Sequence, residues 1–307
     1  MPDFNFRQPE TTMDAQKGFI LSLATFIMWG VFPIYFKWID GVGAVQILAH
    51  RIVWSFVLLF FYLWFSRRLR SVQLLLRHKK TLLALITTGV LISINWGVFI
   101  YAVGKNQILE TSLGYFINPF FSILLGALLL GEKLETTAKI ASGLVLVSIA
   151  IQVYALGKLP LISLILPASF ALYGFIRKKI DVPSFAGLLI ETAVIMPFAL
   201  IFLIWSAKTG QSGLALNKNG VLLVLSGLVT ILPLLTYTAA THFLPLSTLG
   251  FMQYISPTIS MLVAVFLYNE PLPLTRLLGF ALIWLGLGIM ALGHFTHKKS
   301  IVAKSNR

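Results

Sequence analysis

Pro119 to Leu134 reads PFFSILLGALLLGEKL, and Pro257 to Leu272 reads PTISMLVAVFLYNEPL. At a constant offset of 138, Pro119 aligns with Pro257, Ser122 with Ser260, Leu124 with Leu262, Leu129 with Leu267, Glu132 with Glu270 and Leu134 with Leu272. Proline, serine and glutamate are not ordinary filling for an apolar helix, so their recurrence in register points to an internal duplication. A second echo agrees: ATFIMWG at Ala24 to Gly30 shares Ala, Phe and Gly with ASFALYG at Ala168 to Gly174, and sets Trp29 opposite Tyr173.

The chain of 307 residues is 58% hydrophobic and 11% charged, too little polar surface for a water-soluble globule of this size. Apolar blocks of about 20 residues, the length that crosses ~30 Å of hydrocarbon as a helix, recur from end to end. The expected fold is an all-α polytopic membrane protein with ten spans: 18–39, 44–65, 81–103, 109–130, 137–156, 160–177, 184–206, 220–242, 246–268 and 275–295. A short N-terminal tail (1–17) and a basic C-terminal tail (296–307) flank two halves, 18–156 and 160–295, in one membrane domain. The stretch Ser66 to Lys80 is the longest connector and reads as a basic cytosolic loop.

The net charge of +14 would suggest nucleic acid in a soluble protein, but its distribution says otherwise. With the N-terminus in the cytosol, seventeen of the 24 Lys and Arg fall on cytosolic segments, six fall outside and Arg51 alone lies well inside a span. That skew is the positive-inside pattern. The basicity is therefore an orientation signal, the expected surroundings are a lipid bilayer, and nucleic acid is not an expected partner. There are no cysteines, so disulfides and thiolate metal sites are ruled out.

The echoes pair the first span with the sixth and the fourth with the ninth, so the repeat unit is five helices. An odd number of crossings inverts the second unit relative to the first. Inverted repeats of this kind are the plan of many secondary transporters, whose solute site lies where the halves meet near the membrane midplane. Pro119 and Pro257 are expected about one-third of the way along their helices, kinking them and freeing a carbonyl toward a cavity. Glu132 and Glu270 are expected just beyond opposite membrane faces, solvated. A packing role competes at Ser122, Gly126, Ser260 and Ala264, which form small-xxx-small patterns.

Ionisable residues deep in a span cost roughly 2.5 to 3.5 kcal/mol each on insertion scales, so they are functional candidates. Arg51 and Glu191 stand at corresponding places in the second and seventh spans, each about 10 Å from its own end of the helix. About 10 Å along the membrane normal then separates them, too far for a direct ion pair. Arg51 is expected to meet Glu110 or an anionic group on a solute. Glu191 is a candidate to carry a proton or to hold an ammonium group; His50 could carry a proton near neutral pH, but a packing histidine is the favoured reading there. Asn95, Trp96, Tyr115, Asn118, Tyr237, Gln253 and Tyr254, together with Thr236, Thr238 and Ser256, come from both halves and suit a cavity for a small amphipathic solute.

Intramembrane enzymes are disfavoured: HExxH, GxSxG, CxxC and glycine-rich phosphate loops are missing, and only one carboxylate lies deep in a span. No cofactor is called for. A sensor or assembly protein without transport stays open, although it would not require an inverted repeat. Nothing in the sequence sets an oligomeric state.

The stretches WGVFPIYFKW (29–38), HRIVWS (50–55), LETSLGYFINP (109–119), ALYGFIRKK (171–179), LIET (189–192) and STLGFMQYISPT (247–258) resemble the RarD proteins of the EamA group, within the drug/metabolite transporter superfamily. The resemblance covers all ten spans. It implies a bacterial inner-membrane permease, not an enzyme, with both termini cytosolic, exporting a small metabolite or drug-like compound. It carries over to Trp29, Gly30, Pro33, Tyr35, Lys37, His50, Arg51, Asn95, Trp96, Tyr115, Asn118, Pro119, Glu191, Gln253, Tyr254 and Pro257. Two positions depart from the pattern: Gln46 stands where a glutamate is usual, and Asn269 where a glycine is usual.

Overall fold

A computed structural model describes residues 12–130, 136–157, 159–180, 182–210, 217–241, 243, 252–286 and 288–289. All regular structure among them is helical. Glu132, the C-terminal tail, most of the N-terminal tail and the start of the ninth span lie outside the described residues.

The first span is two helices rather than one, α1 (Thr12–Gly30) and α2 (Phe32–Trp38). Pro33 near the start of α2 has no N–H to continue the ladder, so the helix restarts at Val31, at φ −90° and ψ 0°. There follow α3 (Ala44–Phe65), α4 (Leu69–Arg77), α5 (Lys79–Gly104), α6 (Ile108–Leu130), α7 (Thr136–Leu156), α8 (Leu161–Lys179), α9 (Ser184–Lys208) and α10 (Lys218–Thr241). The ninth span continues as α11 (Ile255–Leu262) and a π turn (Val263–Leu267), and the tenth as the helix Leu274–Gly286. Gln16–Trp38, α3, α5, α9 and Lys218–Tyr237 are each long and apolar enough to cross a bilayer by length and composition. Between their ends they expose large apolar side chains, among them Phe198 and Ile201, as a lipid solvent allows.

The connector Ser66 to Lys80 is not a plain loop. It carries α4, which buries no residue fully but lays Leu69 and Val72 against a cluster containing Leu59, Leu63 and Leu188. Its arginines Arg70 and Arg77 stay exposed, which is the pattern of a helix lying along an interface.

Helix pairs occur in reciprocal sets. Helix α1 packs on α10 and α11, whereas α8 packs on α5 and α6; α3 packs on α10 and α9 on α5; and α3 and α9 pack on each other. Exchanging the first five spans for the second five maps each of these contacts onto another member of the set, except the α3–α9 contact, which maps onto itself. Two glycines at the offset of 138 make the closest approaches to a neighbouring helix's backbone among the described residues, in matching places. A β-carbon on Gly89 would stand 2.9 Å from the Glu191 carbonyl oxygen, and one on Gly227 would stand 2.6 Å from the Trp54 carbonyl carbon. Any larger residue would push α5 from α9, or α10 from α3.

Two sequence expectations are corrected here. Glu270 is not solvated: it is 5% exposed, and its carboxylate accepts the backbone N–H of Ile108 at 2.8 Å and of Leu109 at 3.0 Å. Those two N–H groups begin α6 and are fully buried, so they need an acceptor that the helix itself does not supply. Asn269 directs the chain into this contact with φ 50°, a left-handed conformation that glycine and asparagine adopt most readily, so its replacement of glycine is structurally conservative. Pro257 is not one-third of the way along a helix either. It lies in the first turn of α11, where its missing N–H leaves no gap in the ladder, and the Gln253 carbonyl four residues back accepts the Ser256 N–H at 3.3 Å. Helix α6 runs unbroken through position 119.

Replacing Glu270 by Ala leaves two buried N–H groups without a partner and is expected to destabilise the protein by about 1–3 kcal/mol. Glu270→Gln, which keeps one acceptor, costs less. The thermal unfolding midpoint of detergent-purified protein checks the order wild type, Gln, Ala.

Candidate functional site

Between the two sets of helices lies a cavity of about 360 Å3. Its described walls come from α1, α2, α3, α5 and α6 on one side and α8, α9, α10 and α11 on the other. No described residue of α7 or of Leu274–Gly286 lines it; these two pack against each other, with the Ser148 hydroxyl donating to the Gly279 carbonyl at 3.1 Å and the Gln152 amide to the Thr275 carbonyl at 3.1 Å. One end of the cavity reaches the exposed Ser184 and Gly174, and the other is sealed by the buried Phe32 and Arg51.

Arg51 is 3% exposed on α3. Its Nε donates to Thr230 Oγ1 on α10 at 2.7 Å, and its guanidinium lies 4.3 Å from the centre of the Trp96 ring, with Phe32 and Phe36 at 5.7 and 5.5 Å. The expected partner Glu110 does not reach it. Glu110 is buried at the start of α6, where its carbonyl accepts the Ser163 hydroxyl at 2.7 Å. A hydrogen bond to a charged group contributes about 1.5–3 kcal/mol and a desolvated cation–π contact ~2. Together they offset the roughly 2.5–3.5 kcal/mol that an arginine costs inside a membrane helix. Arg51 is thus held in place without a carboxylate.

Around it, Asn95 is fixed to α8 through Nδ2, which donates to the Leu166 carbonyl at 2.8 Å and to Ser169 Oγ at 3.1 Å, and it accepts the Tyr115 hydroxyl at 3.2 Å. Trp29 and Tyr237 face each other across α1 and α10 with ring centres 5.8 Å apart. The structure therefore brings Arg51, Asn95, Trp96, Tyr115, Tyr237, Gln253 and Pro257 to one cavity wall. Glu191, His50, Asn118 and Tyr254 do not line it. Tyr254 stacks on Phe116, ring centres 6.1 Å apart, inside the main apolar cluster, while His50 and Asn118 are buried on α3 and α6. Of Pro119 and Thr238 only the helical backbone is described.

Glu191 sits behind the wall. Thr88 Oγ1 donates to its Oε1 at 2.7 Å, the Tyr173 hydroxyl to its Oε2 at 3.4 Å, and Arg177 Nη1 lies 3.5 Å from Oε1. Arg177, which the charge pattern places among the seventeen cytosolic cations, lines the cavity and forms the one ion pair among the described residues. A signal for it was present: Arg177 follows Tyr173 by four residues, which puts both on one face of α8. Gly187 on α9 leaves the room, since a β-carbon there would overlap the Arg177 guanidinium. Thr230, Phe32 and Phe170 were also missed; they carry no charge and stand in ordinary apolar runs. Gln46, the other departure from the family pattern, is turned to α9, with its Nε2 3.4 Å from Ser206 Oγ.

The Glu191–Arg177 pair is testable by a double-mutant cycle. Glu191→Ala strands a partly buried cation, so it should destabilise more than Glu191→Ala combined with Arg177→Ala. The coupling should be on the order of 1 kcal/mol, because Arg177 keeps some solvent. Chemical denaturation in detergent micelles measures it.

Comparison with known proteins supplies the family. The model of the EamA-like transporter family matches the chain twice, at residues 16–154 and 159–292. An uncharacterized transporter of Vibrio cholerae serotype O1 is 43% identical over 280 residues, covering 91% of this chain and 93% of its own. Protein RarD of Escherichia coli K12 is 41% identical over 285 residues, 91% and 96% of the two chains. The chloramphenicol-sensitive protein RarD of Pseudomonas aeruginosa is 29% identical over 273 residues, 88% and 91%. One solved crystal structure shares the fold, with TM-score 0.59 and 15% identity over 90% of this chain and 97% of its own. With a duplicated family match over nearly its whole length and a cavity between the two copies, this chain belongs to the EamA-like transporter family.

Proposed function

We propose that the protein is a secondary transporter that moves a small amphipathic metabolite or drug-like solute across the bacterial inner membrane, most simply outward, by alternating access between two inverted five-helix repeats, 18–156 and 160–295. The observation that carries this reading is an aromatic-walled cavity whose described lining comes from both copies and contains Arg51, a buried cation that no described carboxylate pairs. A solute would lie with its apolar body between Trp29, Trp96, Tyr115 and Tyr237 and its polar group at Arg51.

With both termini cytosolic, the open end at Ser184 faces the cytosol, and the sealed end faces outward. Contacts that would have to part in the other state cluster at that sealed end. The Tyr35 hydroxyl donates to the Leu222 carbonyl, Lys37 to the Asn106 side-chain oxygen, and the Asn219 amide to the Asp40 carbonyl at 2.7 Å. All join α2 or the loop after it to the starts of spans 4 and 8. They are few and partly exposed, so opening them costs little compared with separating the glycine-mediated contacts deeper in the bundle. Glu191, with its oxygens already occupied, serves to position Arg177 rather than to meet the solute.

The test begins with a metabolite comparison of cells with and without the protein, followed by flux of whichever compound differs in proteoliposomes. Transport above protein-free vesicles is expected, and its absence for every differing compound would reduce the protein to a sensor or assembly role. Arg51→Ala is expected to abolish flux while inserting normally; unchanged flux removes Arg51 from the solute path. Glu191→Gln should leave the pH profile of flux unaltered, and a displaced profile would restore Glu191 as a proton carrier.

A further inference from the structure

We infer that the cavity selects an organic monocarboxylate with a compact apolar body, not a cation and not a zwitterion; the inference rests on the transporter reading above and names the charge class of its solute. Sequence alone left a zwitterion open, with Arg51 for the carboxylate and Glu191 for the ammonium. The structure separates the two groups in kind. Arg51 lines the cavity, and Glu191 does not. Both oxygens of Glu191 are within hydrogen-bond or ion-pair reach of Thr88, Tyr173 and Arg177, so an ammonium group would have to displace a cation already in place.

The charged groups among the described wall residues are two guanidiniums, Arg51 and Arg177, and no carboxylate. The Arg177 charge is offset by Glu191; the Arg51 charge is not offset by any described acid. Arg51 also presents the right geometry. Its Nε is spent on Thr230, and no hydrogen bond to its two Nη groups forms among the described residues. A guanidinium anchored through one edge keeps a planar pair of donors, and that pair matches the two oxygens of a carboxylate. Trp96 on one face and Phe32 and Phe36 nearby keep water scarce, which strengthens the pairing. The remaining wall is largely rings and aliphatic chains, which bind an apolar body; it offers an ammonium no carboxylate, and its second guanidinium, Arg177, is already offset by Glu191. An ammonium would meet uncompensated positive potential from Arg51.

A matched series of probes that share one phenylpropyl body tests this: 3-phenylpropionate, 3-phenylpropan-1-ol, 3-phenylpropan-1-amine and phenylalanine. Affinities are measured by calorimetry on the full-length protein in detergent at neutral pH, and flux of each probe is followed in proteoliposomes. The propionate should bind about tenfold or more tightly than the other three, since the partner is a charge-assisted hydrogen-bond fork. Arg51→Gln should reduce it to the level of the alcohol, whereas Arg51→Lys, which keeps the charge but not the fork, should fall between. Equal or tighter binding of the amine, the alcohol or phenylalanine by the wild type overturns the inference, and so does binding of none of the four. These wild-type comparisons stand even if the glutamine variant does not fold; if it folds and keeps the preference, the inference also falls. Anion-selective binding without flux of any probe leaves the anion site standing and defeats the transport reading. Flux of probes without preference for the anion does the reverse.

Discussion

The interior of a bilayer offers no hydrogen-bond partner, so each polar group placed there has to be satisfied by another part of the same bundle. Much of the packing follows from this constraint. The buried first turn of α6 obtains its acceptor from Glu270, which is 162 residues away from Ile108 in sequence and comes from the other repeat. Arg51 on α3 obtains its anchor from Thr230 on α10, and Asn95 on α5 from the Leu166 carbonyl on α8. Each link joins the first half of the chain to the second. Satisfying these groups and assembling the two halves are the same event, and that is why the cavity forms at the seam.

The two buried charges in corresponding spans have been put to different uses. Glu191 is consumed structurally: Thr88, Tyr173 and Arg177 surround it, and it fixes the side chain of Arg177 at the cavity wall. Arg51 is stabilised only as far as membrane insertion demands, by one hydrogen bond and an aromatic face. An inverted duplication supplies two equivalent frameworks, but of these two buried charges only Arg51 lines the cavity, and no described acid offsets it.

Much of the fold was legible in the residues. Hydropathy places the second span at 44–65, where α3 (Ala44–Phe65) lies, and the fourth at 109–130, where α6 (Ile108–Leu130) lies. Uninterrupted apolar runs between polar turns make such ends easy to find. The break at Val31 was legible too, in Pro33, but was not read as one. The glycine pair Gly89 and Gly227 lies at the repeat offset and marks two close approaches of helix to backbone, yet a glycine in an apolar helix gives no sign of which neighbour comes near. Asn95, Trp96, Tyr115, Tyr237 and Gln253 were picked out because polar and ring-bearing residues inside spans are costly or distinctive. Tyr254 and Asn118 have the same chemistry and turn away, into packed core.

The sequence by itself determined that the chain is helical, membrane-spanning and duplicated, because hydrophobicity, length and register are written in local composition. Only the tertiary structure decided where side chains point and whom they meet. Glu270 caps a helix rather than ending in solvent, Arg177 lines the cavity rather than a loop, and Glu191 is held by Thr88, Tyr173 and Arg177 behind the cavity wall. The physical reason is that burial and hydrogen bonding depend on rotation about each helix axis and on partners more than a hundred residues distant, and neither is encoded in the hydropathy of a segment.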